Sequence, residues 1–136
     1  MSYVHAKKIA DIAQAPDARK AIQKAAGDLS DIEVLFNHVL VGIYFRPEKT
    51  AGGIIRPADN VKEDQFQGKC GLVLKKGPMA FVDDDTNQFH GQNVSVGDWI
   101  VFRVGDGWSI TVNDTPCRLL EDTNVRMKIG NPLTVL

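Results

Sequence analysis

Two textures divide the chain. Up to residue 26 it is rich in Ala, Lys, Ile and Gln, residues that form helices or are tolerated in them. Ile9, Ile12 and Ala13 recur at spacings of three and four within residues 3–14. Ala18, Ile22, Ala25 and Ala26 do the same within residues 16–26. Pro16 interrupts the run and suits the first turn of a second helix. Gly27 suits a C-terminal cap, with Asp28 or Ser30 opening the next turn. The pattern predicts two short helices, or one kinked helix, with narrow apolar faces. Helices this short are marginal alone and need a surface to lie on.

From residue 34 the pattern turns to β. Residues 34–45 are β-branched and aromatic with partial alternation. Residues 46–67 are polar, hold two prolines and the Gly52-Gly53 pair, and read as a long loop. Residues 68–74 read as a strand and 75–78 as a turn. Residues 79–93 form a polar excursion, and Val94-Ser95-Val96-Gly97-Asp98 a turn. Strands are expected at 99–104, 108–112, 117–120 and 125–129. Gly105-Asp106-Gly107 is expected to make a tight hairpin, and Asn113-Asp114 another turn. The tail, 130–136, contains Pro132 and is expected to be extended. Short, evenly spaced strands with turn signals indicate a barrel or a sandwich.

Composition narrows the partners. In 136 residues, 43% apolar and 24% charged, there is material for one domain with one core. Sixteen basic and 17 acidic residues leave a net charge of −1, so no strong field draws nucleic acid or an anionic membrane. Apolar runs such as 99–102 fall far short of the ~20 residues that cross a bilayer. The first eight residues lack the apolar core of a signal peptide, so a cytosolic location is expected. There Cys70 and Cys117 are expected as buried, reduced thiols, a disulfide being the alternative.

Catalytic chemistry finds little footing. His5, His38 and His90 show no metal-ligand spacing with one another or with the cysteines, and His38 reads as a structural strand histidine. Asp83-Asp84-Asp85 lacks the glycine and distal glutamate of a calcium loop and reads as solvated. No phosphate-binding glycine loop, serine elbow or Cys-His pair is evident. Trp99 and Trp108 are expected to pack in a core or an interface. No enzyme, cofactor or metal is expected.

Four blocks then carry a resemblance to the GroES-like co-chaperonin family. They are Leu35-Phe36-Asn37-His38-Val39-Leu40-Val41, Thr50-Ala51-Gly52-Gly53-Ile54-Ile55, residues 68–74, and residues 94–102 with Val94-Ser95-Val96-Gly97-Asp98 at their head. They stand in the family's order across residues 35–129, and 117–129 fits the family's last strands. The resemblance implies a mainly β, small barrel and a protein that binds other chains. It divides the chain into an N-terminal helical arm (1–33), a barrel domain (34–129) with a protruding loop (46–67), and a tail (130–136).

It also implies a partner-binding loop of Gly52, Gly53, Ile54, Ile55 and Arg56. The glycine pair permits positive φ and lets the loop present its isoleucines. Burying each isoleucine would yield ~1.5–3 kcal/mol before ordering costs. Arg56 departs from the family's apolar tripeptide, because a guanidinium is expensive to desolvate unpaired. The wording around the loop resembles GroES-like proteins of tailed phages. The first expectation is therefore a virion component, a capsid decoration protein that cements neighbouring capsid subunits. The second is a ring-forming co-chaperonin, a homo-oligomer that caps a chaperonin through Ile54 and Ile55. A nucleic-acid binder comes last, because the charge is near neutral.

Overall fold

A computed structural model describes residues 17–45 and 69–135. Helix α1, Ala18–Ala26, opens on Asp17, whose side chain accepts a hydrogen bond from the Lys20 amide at 3.2 Å. It closes on Gly27, at φ 71°, whose amide donates to the Gln23 carbonyl. The expected face is the one that packs: Ile22 and Ala26 are buried, with Ala18 and Ala25 partly so. A helix over residues 3–14 lies outside the described residues, as does Pro16.

Six strands follow: β1 His38–Ile43, β2 Cys70–Lys76, β3 Trp99–Val101, β4 Trp108–Val112, β5 Thr115–Glu121 and β6 Met127–Ile129. They form one antiparallel sheet in the order β4-β5-β1-β2-β3-β6. The first strand begins later than its composition suggests. Leu35 and Phe36 stand exposed ahead of it, where Phe36 takes φ 54° and the His38 amide folds back to the Leu35 carbonyl. Strand β2 runs through Lys75 and Lys76, so its turn comes at 78–81 instead of 75–78. Strand β3 is shorter than expected, and Asp122–Asn124 and Pro132–Thr134 form 3-10 turns. The tail is thus turned, not extended, with the Asn131 side chain capping the Leu133 amide.

Two turns behave as their residues demand. Asn113 and Asp114 take φ 48° and 60°, the left-handed pair of a two-residue hairpin joining β4 to β5. At 94–98 the Asp98 carboxylate accepts from the Ser95 amide at 2.8 Å, and Gly97 takes φ 96°. A third does not. Gly105-Asp106-Gly107 makes no hairpin, because β3 pairs with β2 and β6 while β4 pairs with β5. The segment is a crossover between the fifth and first places in the sheet.

That crossover shows how the sheet closes. Laid flat, β3 and β4 would stand about 19 Å apart, four strand spacings of about 4.8 Å. Only residues 102–107 join them, and part of that length is spent in a turn. Arg118, on β5, donates to the Val104 and Asp106 carbonyls of this crossover, and its guanidinium lies 5.5 Å from the Phe102 ring. Asp106 in turn pairs with Arg103 at 3.1 Å and with Arg126 at 3.8 Å. The sheet therefore rolls into a small β-barrel. Val39, Val41, Ile43, Phe45, Leu72, Val73, Ile100, Phe102 and Leu120 are among its buried residues.

Candidate protein-docking surfaces

Strands β1 and β2 are neighbours, and residues 46–68 connect them. Gly52, Gly53, Ile54, Ile55 and Arg56 fall in that connection and lie outside the described residues. Its two anchor points are described. Phe45 is fully buried, and the Tyr44 amide donates to the Cys70 carbonyl at 3.0 Å. Tyr44 also packs edge-on against Trp99, with centroids 5.3 Å apart. On the far side, the Phe102 amide donates to the Lys69 carbonyl at 2.9 Å. The connection thus starts and ends on a stiff, aromatic-backed strand pair.

A second surface surrounds Trp108, which was expected in a core or an interface. Trp108 and Ile110 on β4, with Leu35 and Phe36 opposite, line an apolar groove of about 630 Å³ floored by Leu40 and Leu119. Trp108 keeps 67% of its surface exposed. The alternation of Trp108 and Ile110 with Ser109 and Thr111 signals one apolar face, but it does not say that β4 lies at the edge of the sheet. At the opposite edge, β6 has no second partner strand among the described residues and exposes Met127. Among the described residues the sheet therefore has two unlike edges.

Other candidate groups prove structural. Asp83 accepts from the Phe89 amide at 2.6 Å, and Asp84 from the Thr86 and Asn87 amides, so these carboxylates cap turns within residues 83–89. Phe81 and Phe89 meet edge-on beside them. Among the described residues no three His, Cys, Asp or Glu side chains gather as metal ligands would. His38 Nδ1–H donates to the Leu35 carbonyl at 3.1 Å, as a structural histidine does. Trp99 is a core residue. Cys70 and Cys117 are free and buried, and burial pushes both thiols up to about 12. No helix among the described residues is long and apolar enough to cross a membrane.

Comparison with known proteins agrees with this architecture. The family described as "Chaperonin 10 Kd subunit" matches residues 31–129. The chain is 33% identical over 101 residues to the co-chaperonin GroES 2 of Mesorhizobium japonicum, across 74% of this chain and 91% of that protein. These matches overturn the expectation of a phage capsid decoration protein. That reading leaned on the wording around Arg56, a few residues of one connection. The family match runs through every strand of the barrel and points to co-chaperonins.

Proposed function

The chain belongs to the Chaperonin 10 Kd subunit family, and on that premise we propose that it is a co-chaperonin subunit, which assembles into a seven-membered ring and caps a chaperonin chamber without doing chemistry of its own. The observation that carries the reading is the placement of the Gly52-Gly53-Ile54-Ile55 motif. It sits in the connection between β1 and β2, inside the family-matched span.

In this reading residues 34–129 are the barrel domain and 46–67 its protruding loop, with 1–33 an N-terminal arm and 130–136 a tail. Ile54 and Ile55 dock on an apolar groove of the chaperonin, and Arg56 tempers that docking. The unlike edges support ring assembly, because a head-to-tail contact between two different surfaces closes into a ring when the rotation allows. The cytoplasm is where such a partner resides.

The test is a native mass measurement of the full chain, alone and with a chaperonin ring plus ATP. A heptamer that joins the chaperonin is expected. Ile54→Asp should weaken that association at least about ten-fold, the scale of one lost apolar anchor, and Arg56→Leu should strengthen it. A protein that stays monomeric and ignores the chaperonin defeats the proposal.

A further inference from the structure

Helix α1 precedes the family-matched span, which begins at residue 31. Yet the barrel is cut to receive it. Gly42 lies inside β1, where glycine ordinarily weakens a strand and marks a close approach. A Cβ added at Gly42 would stand 2.5 Å from Cγ2 of Ile22 and 3.3 Å from Cδ1 of Leu74. Its absence is therefore the notch that admits Ile22, which has no exposed surface.

Hydrogen bonds from three other points on the barrel complete the seat. The Asn113 amide nitrogen donates to the Ala26 carbonyl at 2.6 Å, and Thr115 Oγ1 donates to the Ala25 carbonyl at 2.8 Å. Both acceptors are end-of-helix carbonyls that need an outside donor. Lys75 Nζ donates to the Leu29 carbonyl at 2.7 Å and to that of Ile32. The helix and the segment behind it are thus tied to β1, β2 and the β4–β5 hairpin together.

The notch lies at a telling place. Gly42 pairs with Leu72 on β2 and Cys117 on β5, two residues before the Tyr44–Cys70 hydrogen bond that ends the described part of the β1–β2 ladder. Leu74 and Gly42 lie together under Ile22, so α1 covers the outer face of the strand pair while the barrel core covers the inner one. A ladder shielded on both faces opens less often than one wetted on one side. We infer that α1 is a latch on the β1–β2 strand pair: seated in the Gly42 notch, it keeps that pair closed at the end from which the partner-binding connection departs. This rests on the proposed co-chaperonin function for its consequence, since a frayed base raises the ordering cost of binding, but not for its structural content.

Full-length Ile22→Ala tests it, because the altered residue belongs to the helix and every residue of the strand pair keeps its identity. Hydrogen exchange should accelerate about ten-fold at the α1 amides and also at the Tyr44 amide, and affinity for the chaperonin ring should fall about five-fold. Adding Gly42→Ala to Ile22→Ala returns a methyl group to the space vacated by Cγ2. It should recover part of both losses, one of the three carbons removed being replaced, whereas Gly42→Ala alone should mimic Ile22→Ala. If Ile22→Ala frees the helix while Tyr44 exchange and chaperonin affinity stay unchanged, α1 is a passenger and the latch is wrong. If the unaltered chain does not bind chaperonin at all, the proposed function fails, and the Tyr44 exchange rate still decides the latch.

Discussion

Individual residues in this protein answer to burial more than to type. Cys70 and Cys117 are shielded by the strands around them, and that shielding lifts each thiol from 9.0 to about 12. A raised thiol pKa means that the folded chain keeps protons the unfolded chain releases. The resulting stability is fully present below pH 9 and drains away as the pH climbs from there towards 12. At pH 10 the expected loss is about 1 kcal/mol per thiol. Urea unfolding at pH 7 and pH 10 should show it, and the Cys70→Ala/Cys117→Ala variant should remove most of the difference. The same shielding predicts that a thiol reagent labels neither cysteine in the native protein at neutral pH and both after denaturation. Rapid native labelling would contradict the buried placement.

Among the elements, the crossover between β3 and β4 has the clearest mechanical role. A buried arginine is costly unless its donors are used. Burial pulls the Arg118 pKa below its ordinary value, while Asp106 pulls it back. Its donation to the Val104 and Asp106 carbonyls fixes the crossover against β5, and so closes the sheet. Arg118→Met keeps most of the side chain's bulk but strands those carbonyls. It should cost roughly 3 kcal/mol, read from the urea midpoint. A loss under about 1 kcal/mol would mean that the barrel closes without this clamp. Helix α1 behaves differently from the strands. Nine residues are too few for a stable isolated helix, so its helical state depends on the Gly42 notch and the carbonyl contacts from Lys75, Asn113 and Thr115.

At the scale of the whole molecule, the proposed ring needs a contact between subunits, and the groove beside β4 offers an apolar one. Trp108 contributes little to the fold of one subunit, since most of it faces outward. Trp108→Lys should therefore leave the unfolding midpoint of the barrel nearly unchanged. It should still shift the sedimenting species from ring to monomer, because a lysine at the centre of an apolar contact must be desolvated without a partner. A ring that persists with this variant would move the subunit contact elsewhere on the surface.

Much of the architecture was legible in the order of residue types. The α1 face followed from spacings of three and four around Ile22, and its stop from Gly27. The β4–β5 turn followed from Asn113-Asp114, and the reversal before β3 from Gly97-Asp98. These are local decisions, made by backbone freedom and side-chain caps within a few residues. Gly105-Asp106-Gly107 marks the limit of such reasoning: its composition suits a hairpin, and only the pairing of strands far apart in the chain made it a crossover. The same holds for Gly42, whose missing side chain acquires meaning once Ile22 is brought against it, and for β4, which became an edge through the order of the whole sheet. Tertiary structure decided these because strand neighbours and packing partners are set by contacts across the full chain, which no local window of sequence contains.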